Sequence, residues 1–229
     1  MSAPIPAEGR AALLGRIRDA GIIAVIRADS DDSAFRVAET LVGAGLRLIE
    51  ITMTVPGALG VMTALGRQFG PAIDLGAGTI TSESMVEAAV GAGCAFLVTP
   101  CLVAGVIASA KARDVAIISG ALSPTEVLAA DRAGADLVKI FPASTAGGPA
   151  YIRALRGPFP SIGFVATGGV ALDTVAEYIQ AGVTAVGAGG EMIPRASVQA
   201  GDYRAIGQSA RAFLEAARRA RAAGEGVVR

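Results

Sequence analysis

Histidine and tryptophan are absent from this chain. Without histidine, no side chain has an unperturbed pKa near neutrality, and the commonest metal ligand is missing. A histidine-based zinc centre, a Ser-His-Asp hydrolase and a histidine proton shuttle are excluded together. Aromatic residues make up only 4% of the chain while hydrophobic residues make up 52%, so Ala, Val, Ile and Leu must fill the core. That composition suits a buried parallel sheet covered by helices. Cysteine is scarce. Cys94 and Cys101 stand seven positions apart in apolar segments, outside any C-x-x-C spacing. Both are expected to be buried free thiols in a reducing compartment.

No charge of one sign is in excess, with 20 acidic and 20 basic residues. This argues against a nucleic-acid face or a polyanion-binding tail. Arg211, Arg218, Arg219 and Arg221 are interspersed with Glu215 and Glu225 and read as a solvated helix face. The stretch from Ala88 to Ala110 carries no charge and is long enough to span a bilayer. Gly91, Gly93, Thr99, Pro100 and Gly105 break it into helix end, short strand, turn and next helix. Met1 to Arg10 has no basic segment followed by an apolar one, so no signal peptide is indicated. The expectation is a cytoplasmic protein with no membrane and no nucleic-acid partner.

Lysine is nearly absent too. Among the basic residues only Lys111 and Lys139 are lysines. Lys111 lies in a polar helix end. Lys139 lies in Asp136-Leu137-Val138-Lys139-Ile140-Phe141-Pro142, an apolar strand-like run. A buried ammonium must be paired or give up its proton. A lysine of lowered pKa is a nucleophile towards ketones. The competing reading is a lysine whose stem is buried while its head reaches solvent.

What is present is a repeat. Gly43-Ala44-Gly45, Gly91-Ala92-Gly93, Ala133-Gly134 and Ala181-Gly182 each precede a short apolar, partly β-branched run. These runs begin at Leu46, Cys94, Ala135 and Val183 and read as buried parallel strands. The intervals contain four more, Ile22 to Arg27, Ala72 to Gly78, Val115 to Gly120 and Ile162 to Thr167. Ser123-Pro124-Thr125-Glu126 reads as a capping box, and Pro56-Gly57 and Thr81-Ser82-Glu83 as similar helix starts. Eight strands alternating with helices imply an α/β fold, a (β/α)8 TIM barrel in one domain over 1–229. An extra N-terminal helix is expected over 7–20, barrel strands over 22–193 and a C-terminal helix over 202–223. No G-x-G-x-x-G follows the first strand, which disfavours an open doubly wound sheet.

Active sites of such barrels lie where the strands end. Arg27, Glu50, Thr79, Pro100, Lys139, Gly168-Gly169 and Gly189-Gly190 all fall at or near strand ends. Glu50 and Lys139 are both on even-numbered strands, so both can point at one ligand. An amine and a carboxyl group there supply what a carbonyl condensation needs, a nucleophile and a proton shuttle. A buried ion pair is the alternative, though such pairs are weak sources of stability. The two glycine pairs at the ends of strands seven and eight suit a phosphate site.

Four segments, Ile49-Glu50-Ile51-Thr52, Gly76-Ala77-Gly78-Thr79, Val138-Lys139-Ile140-Phe141-Pro142-Ala143 and Thr167-Gly168-Gly169-Val170, carry a resemblance. In order and spacing they resemble the 2-keto-3-deoxy-6-phosphogluconate (KDPG) / 4-hydroxy-2-oxoglutarate (KHG) aldolases, a class I, pyruvate-forming family. The resemblance implies Lys139 as the Schiff-base lysine and Glu50 as the proton-transfer residue. It implies Thr54, Thr79, Pro100, Phe141, Gly168, Gly169, Gly189 and Gly190 as substrate-binding positions. It further implies no cofactor and no metal, cleavage to pyruvate and glyceraldehyde 3-phosphate, and a homotrimer. Two positions depart from the pattern. Thr54 stands where many members have a carboxylate-clamping arginine, and Arg27, at the end of the first strand, is the candidate replacement, suited to bidentate recognition of a carboxylate; a surface arginine paired with Asp29 or Asp31 is the competing reading. Gly190 stands where a serine is common, which removes one hydroxyl from the distal site. Ser119 and Ala166 replace prolines of many relatives, with a looser local backbone expected. KHG and 2-keto-3-deoxy-6-phosphogalactonate substrates, a non-imine isomerase or decarboxylase, and a binding module without turnover stay open as alternatives.

Overall fold

The glycine that ends a barrel helix also decides where the next strand begins. A computed structural model describes residues 9–225, and the side chains of 9–223. Its strands are β1 (Ile22–Ile26), β2 (Leu48–Thr52), β3 (Asp74–Gly78), β4 (Phe96–Val98), β5 (Ala116–Ala121), β6 (Leu137–Ile140), β7 (Phe164–Thr167) and β8 (Ala185–Ala188). The helices are α1 (Arg10–Ala20), α2 (Asp31–Gly43), α3 (Ala58–Phe69), α4 (Glu83–Gly91), α5 (Ala104–Ala112), α6 (Pro124–Arg132), α7 (Gly148–Arg156), α8 (Val175–Gln180), α9 (Arg195–Gln199) and α10 (Tyr203–Glu225). Gly45, Gly93, Gly134 and Gly182 adopt φ of 98°, 91°, 94° and 95°. The residue after each turns back into its helix. Leu46 N–H donates to Leu41 O at 3.0 Å, Cys94 to Ala89 at 3.1 Å, Ala135 to Ala130 at 3.1 Å and Val183 to Tyr178 at 3.4 Å. This six-to-one closure occupies the first residue of each apolar run. The strands therefore start two residues later than hydrophobicity alone suggests at all four of these junctions.

The eight parallel strands close in sequence order, and β1 pairs with β8 through Ala24 opposite Ala188. This is the (β/α)8 barrel expected. α10 packs between α8 and α2 and completes the outer helical ring. The expected helix start at Ala7 lies outside the described residues; Gly9 is extended, and the helix runs from Arg10. The capping box at Ser123 is formed, with Glu126 N–H donating to Ser123 Oγ and Ser123 N–H to Glu126 Oε2. Donation from the Ser123 amide foremost, then from its hydroxyl and the Leu122 amide, holds the Glu126 carboxyl below its usual range. Ser82 caps α4 by a single bond, its Oγ accepting from Met85 N–H. Among the described residues no helix is long and apolar enough to cross a membrane.

Two apolar layers follow from the alternation of strand side chains. Residues such as Ile49, Ile51, Ile117 and Ile140 face the helices. Ile23, Leu48, Phe96, Ile118 and Val165 face inward and are joined from below by Leu13 and Ile17 of α1. Arg16 grips Asp74 at the base of β3 with two hydrogen bonds of 2.9 and 2.7 Å, and Arg47 adds a third at 2.8 Å. Arg10 pairs with Asp136. α1 is therefore a plug that closes the N-terminal mouth, and the volume above Phe96 is left to the site.

Ser119 and Ala166, expected to loosen the backbone, both sit in paired strands, opposite Val138 and Val186. Ser119 is fully buried and its Oγ has no hydrogen-bond partner among the described residues. An unsatisfied buried hydroxyl is unfavourable by about 1–3 kcal/mol. Ser119→Ala is therefore expected to stabilise the fold by about 1 kcal/mol. Chemical denaturation would check this, and a lower midpoint for the variant would contradict it.

Candidate active site

Alternation along β2 and β6 puts Glu50 and Lys139 inside the barrel, each two residues above an inward-facing leucine, Leu48 and Leu137. Their exposures are 2% and 3%. Burial is the main influence on both groups. It raises the Glu50 carboxyl and lowers the Lys139 ammonium, and each partly offsets the other's shift by attraction. Arg27 also acts on both, lowering each. The two shifts move the pair towards neutral acid and neutral amine. Glu50 Oε1 is buried with no hydrogen-bond partner among the described residues. Lys139 Nζ lies 5.0 Å from the centroid of the Phe141 ring.

Small residues make room for these groups. A Cβ on Gly78 would stand 1.9 Å from Glu50 Oε1, so only glycine lets the carboxyl lie where it does. A Cβ on Gly120 would stand 2.3 Å from the carbonyl carbon of Pro100, so that the β4 loop can lean over the barrel. Thr99 fixes this loop. Its Oγ1 accepts from Gly120 N–H at 2.8 Å and donates to Cys101 O at 2.6 Å. Cys94 is buried, 3.4 Å from Met62 Sδ, with its thiol pushed up to about 12 by burial. Cys101 corrects the sequence expectation. It is exposed, because it falls past the end of β4 on the loop at the C-terminal mouth rather than in the strand.

Thr79 follows Gly78 at φ 60°, a left-handed conformation that is costly for a β-branched residue. Such strain persists where the surroundings hold it, and here it sets Thr79 at the rim beside Glu50's strand. Thr54 is exposed and hydrogen-bonds Thr52 Oγ1 at 2.8 Å; Thr52 in turn donates to Ile26 O at 3.1 Å. This relay leads to the residue before Arg27. Asp29 pairs with Arg195 instead of Arg27, and Arg27 has no ion-pair partner among the described residues.

Arg27 lines a cleft of about 150 Å³ together with Thr167, Gly168, Gly169, Val170, Gly189, Gly190 and Glu191. Gly168 and Gly169 have φ of 92° and 69° and lie against Phe141 and Ser144. A Cβ on Gly169 would stand 2.0 Å from Ser144 Oγ. All the residues expected at strand ends are thus at one mouth, with Arg27 shared between the buried pair and the glycine loops. Thr167 and Glu191 line the cleft without being among the binding positions expected from the sequence. Only Thr167 carried a signal, as the first residue of a glycine-rich strand end.

The sequence profile of the KDPG and KHG aldolases matches residues 14–209. The chain belongs to the KDPG and KHG aldolase family. This aldolase is 36% identical over 199 residues to the 2-dehydro-3-deoxy-phosphogluconate aldolase of Pseudomonas aeruginosa, covering 86% of this chain and 90% of that protein. It is 33% identical over 206 residues to the 2-dehydro-3-deoxy-6-phosphogalactonate aldolase of Escherichia coli K12, covering 87% and 95%. Its fold overlays the KDPG aldolase of Legionella pneumophila with a TM-score of 0.81 at 27% identity, over 87% of this aldolase and 97% of that chain. In that crystal structure pyruvate was captured at low pH as a covalent carbinolamine. Membership makes the chain an aldehyde-lyase acting on a small molecule.

Proposed function

We propose that this aldolase cleaves a 2-keto-3-deoxy sugar acid, KDPG foremost, to pyruvate and an aldehyde such as glyceraldehyde 3-phosphate, through an imine on Lys139. The observation that carries this reading is the pair itself, a buried lysine and a buried carboxyl group on facing strands, both driven towards neutrality. A neutral Lys139 Nζ attacks the C2 ketone, and Glu50 hands over the protons that turn the carbinolamine into an imine and release water. The protonated imine then draws the electrons of the C3–C4 bond as the C4 hydroxyl loses its proton. The aldehyde leaves and an enamine remains. Protonation of the enamine at C3 and addition of water return pyruvate and free Lys139.

Thr79 and Arg27 are assigned to the substrate carboxylate, since arginine suits bidentate recognition of that group. Pro100 and Phe141 shape the walls around C2, and Thr54 steadies the β2 end. Gly168, Gly169, Gly189 and Gly190 offer backbone N–H groups to the distal end. The reading extends to a cytoplasmic homotrimer, serving sugar-acid breakdown of the Entner–Doudoroff type.

Trapping tests it. Borohydride added in the presence of pyruvate should inactivate the enzyme and leave a pyruvyl adduct on the peptide bearing Lys139. Full activity after such treatment would favour an isomerase or decarboxylase working through Glu50 alone.

A further inference from the structure

Two residues of opposite charge, Arg27 and Glu191, line the cleft between the β7 and β8 loops, and Arg27 Nη1 would stand 3.4 Å from a Cβ on Gly189. The other lining residues are uncharged. The amides of Gly169, Val170, Gly190 and Glu191 donate to no other group among the described residues. The residues lining the cleft thus bring unengaged backbone amides, one guanidinium and one carboxylate to its walls. Glu191 is exposed and stands on a turn closed by Met192 and Ile193 N–H, both donating to Gly189 O, at 2.9 and 2.8 Å. Packing does not require this arrangement of charge. A Cβ on Gly190 would meet nothing within 4 Å, so a hydroxyl-bearing side chain would fit beside the cleft.

A phosphate dianion entering here gains one guanidinium and meets one carboxylate. If Arg27 is engaged with the substrate carboxylate, the carboxylate of Glu191 is the one charged group left in the cleft. A terminal hydroxyl behaves differently. It can donate to Glu191 while accepting from the free amides, whereas a phosphate dianion accepts from the amides but has no proton to donate to Glu191.

Building on the aldolase reading above, we infer that the same site also cleaves unphosphorylated 2-keto-3-deoxy acids, and that Glu191 sets the balance between hydroxyl and phosphate at the distal end. The reaction is unchanged, with the C3–C4 bond broken through the Lys139 imine. Only the distal contact differs. Glu191 is therefore a specificity residue, remote from the reacting atoms.

The test is kcat/KM for pyruvate release from KDPG and from 2-keto-3-deoxygluconate, in the wild type and in Glu191→Gln and Glu191→Lys. The wild-type ratio of phosphorylated to unphosphorylated substrate is expected to lie within about tenfold of unity. Glu191→Gln should raise the ratio by about tenfold and Glu191→Lys by more, the scale of a carboxylate facing a dianion across a wet cleft. Raising the salt should lift the wild-type ratio relative to that of Glu191→Gln, which a purely structural role would not do. A wild-type ratio above about a hundred, or one unmoved by either substitution, would overturn the inference. Borohydride trapping separates the two failures. A pyruvyl adduct on Lys139 with an unmoved ratio defeats the role of Glu191 alone. No adduct and no cleavage of either substrate defeats the aldolase reading and this inference with it.

Discussion

Lys139→Met will lose turnover by about 10⁴-fold or more while keeping the barrel, because among the described residues no other amine stands in the interior to form the proposed imine. The second lysine, Lys111, lies exposed in the last turn of α5, at the opposite end of the barrel from the strand ends. The substitution should not weaken the fold. Burial lowers the Lys139 ammonium from its ordinary value of 10.5, so the charged form is disfavoured in the folded chain. The sign follows. Below its folded pKa the chain carries the full burial cost, which fades as pH rises towards 10.5. Methionine removes that cost and keeps the apolar stem, while Glu50, already raised by burial, takes up a proton. A melting temperature at or above the wild type at pH 7, with the margin shrinking as the pH is raised, is the expected result. Retained pyruvate release in a folded variant would refute the assignment of the nucleophile.

Gly78→Ala is expected to cut kcat by about 10²–10³-fold, the range associated with losing a positioned acid–base group. The reason is steric and local. The added methyl would fall 1.9 Å from Glu50 Oε1 and 2.7 Å from its Cδ, so the carboxyl must leave its place. Imine formation with pyruvate should slow with it, while Lys139 stays available. Stopped-flow measurement of trapping against steady-state turnover would show this. A variant with unchanged kcat would mean that Glu50 does not act from the position it occupies. Glu50→Gln in the Gly78→Ala background should then add little, since both changes remove the same proton carrier.

Much of this was legible along the chain, for stated reasons. Period-two alternation put Glu50 above Leu48 and Lys139 above Leu137, so their inward direction could be read once the strands were recognised. The glycine pairs after β7 and β8 marked the loops that form the cleft. Other features depended on contacts that no periodicity encodes. Ser144 lies against Gly169 only because that residue has no Cβ to block its Oγ, and the two are 25 positions apart. Glu191 sits on an irregular turn, where neither pattern nor propensity tells which way a carboxylate faces. Cys101 was misplaced because its apolar neighbours hide the strand end at Val98. The late strand starts arise because a helix-ending glycine claims the next amide for its own helix.

The plug formed by α1 has a consequence for the order of events. Leu13 and Ile17 stopper the barrel from below, and Arg16 and Arg10 bolt the helix to Asp74 and Asp136. Among the described residues the interior is therefore a blind shaft, with Lys139 near its floor and the strand-end mouth as its opening. In the mechanism proposed above, the two halves of a cleaved substrate would then leave by the same mouth. The aldehyde, nearer that mouth, would have to clear the shaft before water could descend to the pyruvate held on Lys139.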